Sequence, residues 1–215
     1  MSNAVWYLMR GTGVTSLLLL TGVVTLGILT ARKTSLPTLP RFATMTLHRS
    51  ISLLAVVFLV IHVTSAVIDP YAQVRLVDSM VPFAGSWRPV WLGLGTLSLD
   101  VFAAVIISSL LMKRIGRRIW RTIHWLGYAT WPLAFLHSLG TGSDSGTLWL
   151  RGLSIAMFAT ICAALYWRLD AASGTAQREL ARRTNTLSSA ARKPTASAPV
   201  STAASPRLET SSVGG

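Results

Sequence analysis

The sequence predicts an all-α fold: a polytopic bundle of five transmembrane helices, N-terminus outside and C-terminus cytoplasmic, followed by a disordered tail. Three observations predict it. Just over half of the 215 residues are apolar, more than an ordinary soluble domain of this length carries. The apolar residues fall in five runs of roughly 18 residues or more, the length that crosses a hydrocarbon layer at helical rise. The charge of +13 is gathered in alternate connections, as the positive-inside rule requires.

The runs lie near Trp6 to Ala31, Leu47 to Ile68, Val90 to Met112, Trp120 to Leu139 and Leu148 to Trp167. The first is longer than the apolar part of a signal peptide and meets Arg32 and Lys33 at once, which reads as a stop-transfer signal and a mature helix. Pro37 and Pro40 in the following connection forbid continued helix and make the first two spans antiparallel neighbours. The long connection from Asp69 to Pro89 carries Val77, Met80, Val81, Pro82, Phe83 and Trp87, a composition suited to lying over the mouth of the bundle. Residues 140–146, Gly-Thr-Gly-Ser-Asp-Ser-Gly, read as a flexible turn. Beyond Arg168 the chain turns to Ala, Ser, Thr, Arg and Pro, which offer little burial against the entropy of ordering. The expected division is therefore a transmembrane domain over 1–168 and a disordered basic cytoplasmic tail over 169–215.

One face collects Arg32, Lys33, Arg41, Arg49, Lys113, Arg114, Arg117, Arg118, Arg121 and the basic tail. The other has Arg10, Arg75, Arg88 and Arg151, offset by Asp69, Asp78 and Asp144. This is the charge pattern of a multi-pass protein of a bacterial-type cytoplasmic membrane. Its basic face meets anionic lipid headgroups rather than nucleic acid, for which no basic-aromatic groove or motif is present. A single cysteine, Cys162, excludes an intramolecular disulfide or cysteine metal cluster and reads as a packing residue. No phosphate loop or dinucleotide fingerprint occurs, so no flavin or nicotinamide domain is expected.

All four histidines lie in the second and fourth spans: His48 and His62, then His124 and His137. Polar groups at membrane depth usually face a site or the bundle interior. Helical rise separates the members of the two pairs by about 21 and 20 Å. Because both spans run in the same direction, His48 shares one leaflet with His124 and His62 shares the other with His137. Two such cross-helix pairs suit two bis-imidazole haems: an inner haem b on His48/His124 and an outer haem b on His62/His137. Fourteen residues nearly restore a helical face, whereas thirteen miss it by about 140°; the fourth span must therefore be irregular, and Pro132 is the candidate kink. Ser52, Ala55, Ser65, Ala66, Gly127, Ala129 and Ala134 offer space for a porphyrin edge. Arg49 and Arg121 near the inner pair, and Arg10 or Arg151 at the outer rim, offer charge for its propionates.

Other readings of these residues stay open. Four hydrogen-bonded core histidines would need no cofactor, while copper or zinc would want three or four clustered ligands rather than two distant pairs. Asp100, midway along the third span, is a functional candidate by its depth, with a neutral carboxyl bonded to a neighbouring helix preferred over a proton relay. Trp120, Trp125, Trp131, Trp149 and Trp167 include expected interface-belt residues.

The spacing H-x13-H on the second span and H-x12-H on the fourth resembles the ferric reductase-like transmembrane domain over about residues 6 to 167. Further similarity lies in RGTG at Arg10 to Gly13, WRTIHWLGY at Trp120 to Tyr128 and WPLAFLH at Trp131 to His137. That family includes the membrane domains of ferric reductases and NADPH oxidases, and the haem subunit of a bacterial periplasmic methionine sulfoxide reductase system. The resemblance implies that His48, His62, His124 and His137 are axial haem ligands and that electrons cross from the inner to the outer site. It also implies a separate donor, whether a flavoprotein, a ferredoxin-like protein or membrane quinol. The acceptor would be ferric iron, oxygen or an extracytoplasmic flavin or molybdenum protein. A quinol-linked dihaem cytochrome b is the redox alternative. A transporter or scaffold with proton- or metal-binding histidines is the alternative outside redox chemistry.

Overall fold

The computed structural model describes residues 2–30, 40–142 and 147–192. It divides the chain into two units, Met1–Asp170 and Ala171–Gly215. The described elements are helices α1 (Ser2–Thr30), α2 (Arg41–Ile68), α3 (Pro89–Leu110), α4 (Met112–Trp125), α5 (Gly127–Thr141) and α6 (Leu148–Arg192), with a 3₁₀ turn at Leu76–Ser79.

Four helices are long and apolar enough to cross a membrane: α1, α2, α3 and the first part of α6. The expected single helix over Trp120 to Leu139 is instead broken at Leu126 into α4 and α5, neither of which reaches spanning length alone. The break, not Pro132, interrupts the segment between His124 and His137, and α5 continues through Pro132. Gly116 at φ 81° adds a second interruption inside α4, in a backbone region that favours glycine.

The buried and exposed sets are those of a bundle in lipid. Its small core joins Leu17, Leu20, Ala55, Phe102, Trp131, Met157 and Ile161. Large apolar side chains such as Leu53, Leu54, Val57, Val60, Leu110 and Phe158 are exposed, while Thr12, Ser16, Thr21, Ser65, Thr96 and Ser98 are buried. Hydrocarbon solvates the first set without cost, and all of the named hydroxyls but Ser16 bond to backbone carbonyls: Thr21 donates to Leu17 O at 2.8 Å and Ser65 to Ile61 O at 2.7 Å.

Helix α2 packs along α1, α5 packs along α3, and α1 also meets α5. Trp131 Nε1 donates to Thr21 Oγ1 at 2.8 Å and Ser98 Oγ to the Thr130 carbonyl at 2.9 Å, tying α5 to α1 and α3. Trp131 is thus a core residue and not part of an interface belt. Among the described residues, α2 and α5 make no close backbone approach to each other. A gap therefore lies between the two helices that carry His62 and His137.

The connection between α2 and α3 is ordered by local bonds. Asp69 Oδ1 accepts the Tyr71 N–H at 2.9 Å, closing a turn after α2. Buried Asp78 accepts from the Arg75 guanidinium and backbone N–H at 2.9 and 3.0 Å. Thr96 Oγ1 on α3 donates to the Asp78 carbonyl at 2.7 Å. Phe83 rests on Gly93, where a Cβ would collide with the ring, and Pro89 opens α3 at a position where its missing N–H costs nothing.

Four expectations are corrected. The helix of α6 runs on to Arg192, through residues assigned to a disordered tail, because Ala, Arg, Glu and Leu in this stretch favour helix without burial. Cys162 is exposed rather than packed. Asp100 is exposed on α3, with no hydrogen bond to a neighbouring helix among the described residues. The turn at 140–146 is helical as far as Thr141. Residues 143–146, the stop-transfer pair Arg32 and Lys33, Pro37, and 193–215 lie outside the described residues.

Candidate functional site

The gap between α2 and α5 opens into a cavity of about 1170 Å³ lined by residues of α1, α2, α3, α5, α6 and the connection before α3. That exceeds the roughly 300–1,000 Å³ of ordinary small-molecule pockets. His62 and His137 both line it, as do Arg10 and Arg151, together with Ala55, Ala66 and Ala134. Ser52, Ser65, Gly127 and Ala129 are not among its lining residues.

His62 and His137 face each other with ring centroids 6.4 Å apart and planes crossed at 78°. A metal–imidazole nitrogen bond is about 2 Å and the ring centre lies roughly 1 Å behind the nitrogen, so two imidazoles on opposite sides of one metal have centroids about 6 Å apart. The separation matches. Each ring is also held from behind: His62 Nδ1 lies 2.9 Å from the Met9 carbonyl on α1, and His137 Nδ1 lies 2.8 Å from the Trp91 carbonyl on α3. Opposite a carbonyl oxygen Nδ1 can only donate, so its proton is fixed there and Nε2 keeps its lone pair for a ligand. The residues fit a bis-imidazole haem at this end of the bundle. The crossed planes do not conflict with such a pair, since each ring would be oriented by its own carbonyl.

The other end is less complete. His48 Nδ1 lies 3.1 Å from the Val23 carbonyl of α1, the same anchoring. His124 stacks on Trp120 at 4.9 Å with planes 28° apart, and its Nδ1 is buried with no hydrogen-bond partner. Among the described residues no ring contact joins His48 to His124. Arg49 is exposed, and Arg121 lines a separate cleft of about 340 Å³ with Arg117, Arg118 and Thr122.

The described residues contain no group of three or more His, Cys, Asp or Glu side chains placed to share a metal ion. His62 and His137 stand as a pair, fewer donors than a tetrahedral zinc or copper centre wants.

A family model described as ferric reductase like transmembrane component matches residues 12–135. The chain belongs to this family. The match covers more than half of the chain and takes in His48, His62 and His124, ending two residues before His137. Ferric reductase-like domains are typically haem-binding, and membership makes transmembrane electron transfer the general activity of this bundle. No match was found among curated proteins or solved structures.

The sequence gives no sign of the glycines behind the histidine rings. A Cβ on Gly13 would stand 2.9 Å from His62 Cε1, and one on Gly95 would stand 2.5 Å from His137 Nδ1. Gly13 sits within the RGTG fragment, but its partner is 49 positions away in the chain, and no local pattern signals that contact.

Proposed function

We propose that the chain is the membrane subunit of an oxidoreductase, moving electrons across a bacterial-type cytoplasmic membrane by way of two b-type haems. His62 and His137 would hold the outer one, His48 and His124 the inner one. The observation that carries this reading is the His62–His137 arrangement: two rings at the separation of a shared metal, each with Nδ1 committed to a backbone carbonyl. When bound, haem supplies one-electron carriage, which no side chain of this bundle offers.

The chain's own residues orient and insulate. The carbonyls of Met9, Trp91 and Val23 hold three imidazoles in the tautomer that ligates. Arg10 and Arg151 bring positive charge to the cavity that His62 and His137 share, suited to carboxylates at a porphyrin edge. The apolar walls from Leu17, Leu20, Leu59 and Phe102 exclude water from the same space. Five crossings follow if α4 and α5 together make the fourth; the positive-inside rule then sets the N-terminus outside and the basic connections in the cytoplasm. A separate flavoprotein, ferredoxin-like protein or quinol would deliver electrons, and an extracytoplasmic protein or small molecule would accept them.

The test is a reduced-minus-oxidised spectrum of the purified protein, expressed with adequate haem. The expected result is a b-type spectrum with about two haems per chain. In the His62→Leu variant one haem should remain, with His48 and His124 as its ligands. Protein without a Soret band would defeat the proposal and favour the transporter or scaffold reading.

A further inference from the structure

Three of the four histidine rings are seated in the same way. His62 takes the Met9 carbonyl and lies against Gly13; His137 takes the Trp91 carbonyl and lies against Gly95; His48 takes the Val23 carbonyl and lies against Gly27. In each case the carbonyl belongs to the residue four positions before the glycine. In an α-helix that carbonyl already accepts the glycine's own N–H, and its second lone pair is reached from outside past the place a Cβ would occupy. Removing the Cβ therefore opens a slot in which a ring can donate to a carbonyl that is also part of the helix. Gly13 and Gly27 are fourteen residues apart on α1, the same interval that separates His48 and His62 on antiparallel α2.

We propose that Gly13 and Gly95 are positioning residues that fix the rotation of the facing imidazoles on their carbonyls, that Gly27 leaves its ring room to spare, and that a fourth seat is closed. The fourth seat follows from the repeat. Fourteen residues beyond Gly95 on α3 stands Ser109, whose hydroxyl donates at 2.7 Å to the Val105 carbonyl four residues earlier. The serine takes the acceptor that a ring would use. Ser109 Oγ also accepts Trp120 Nε1–H at 3.2 Å, and Trp120 stacks on His124, the one histidine whose Nδ1 has no partner. His137 thus sits in a slot on α3, whereas His124 leans on an indole held by α3.

This inference rests on the proposed pairing of histidines but makes separate predictions about the glycines. The seats differ in tightness: a Cβ would meet the ring at 2.5 Å at Gly95, 2.9 Å at Gly13 and 3.6 Å at Gly27. The last is ordinary van der Waals contact. The experiment compares Gly95→Ala, Gly13→Ala and Gly27→Ala in the full-length haem-loaded protein, by electron paramagnetic resonance of the oxidised form and by redox titration of each site. Gly95→Ala should abolish or displace the low-spin signal of the His62/His137 site, leaving the other signal in place. Gly13→Ala should shift that same signal by less, and Gly27→Ala should leave both signals unchanged.

Unchanged signals in both Gly95→Ala and Gly13→Ala would overturn the proposal, as would equal damage to both sites in each variant. If Gly95→Ala fails to accumulate, Gly13→Ala and Gly27→Ala decide between the same outcomes. Parent protein that lacks two b-type signals would instead count against the haem pairing itself.

Discussion

The two ends of the bundle carry histidines under different constraint. At the His62/His137 end both rings are anchored through Nδ1, face each other at 6.4 Å and open on a large cavity. At the His48/His124 end one ring is anchored, the other is stacked on Trp120, and no ring contact joins the two. Donating Nδ1–H to an oxygen raises the basicity of the opposite nitrogen and fixes the ring. Matched residue types on matched helices therefore need not make equivalent surroundings: what differs is the backbone behind each ring, on α1 and α3, rather than the histidines on α2, α4 and α5.

The largest effect that separates the ends should come from the histidines proposed as ligands. His137→Leu is expected to remove the His62/His137 haem and leave about one per chain, and His124→Leu to remove the other; haem assay and the Soret spectrum read both. Loss of all haem from either variant would mean that the two sites assemble as one unit. Trp120→Leu comes next. It should disturb only the His48/His124 site, broadening or shifting its redox midpoint, because it removes the stack that stands in for a carbonyl anchor. An equal shift at the His62/His137 site would erase the distinction drawn here.

A smaller effect is expected at Trp131, which lies between the ends and ties α5 to α1. Trp131→Phe removes the donor to Thr21 Oγ1 and leaves that hydroxyl buried, at a cost of about 1 kcal/mol. Thermal unfolding in detergent should report the loss with both haem signals retained.

The connection before α3 adds a pH dependence confined to one end. The Arg75 guanidinium, and then its backbone N–H, hold the Asp78 carboxyl below the usual carboxylate range. A depressed value contributes stability that is present above the unfolded carboxyl's pKa, about 4. It is lost as pH falls through the lower folded value. The turn at Leu76–Ser79 should therefore stay docked between pH 5 and 8 and loosen only in more acidic solution. Hydrogen exchange at the amides of Arg75 to Met80 reads this, and Asp78→Asn should remove the dependence.

Much of this was legible in the sequence, for physical reasons particular to each part. Lipid demands long apolar helices, so α1, α2, α3 and the start of α6 stand out. Histidine is rare in such helices, so four in two spans point to a site. The anchors were not legible because a ring reaches from His62 to Met9 across 53 positions, and a contact of that range leaves no periodic trace. The break at Leu126 was hidden behind Pro132, a stronger local signal that the helix tolerates. The length of α6 is not legible from burial alone, because its Ala- and Arg-rich end favours helix by propensity.

The smallest effect is expected at Asp100, and it bears on the source of the asymmetry. Asp100 is exposed on α3, while Thr96, Ser98, Phe102 and Val105 of the same helix are buried. It is not among the residues lining the cavity shared by His62 and His137. A carboxylate near the middle of a span costs about 2.5–3.5 kcal/mol on insertion scales, so Asp100→Asn should accumulate in the membrane at least as well as the parent. If the two proposed sites differ because of the backbone behind their rings, replacing this carboxyl leaves both redox midpoints where they were. A midpoint that moved at one site alone would trace the difference to this side chain, and the seats on α1 and α3 would lose their explanatory role.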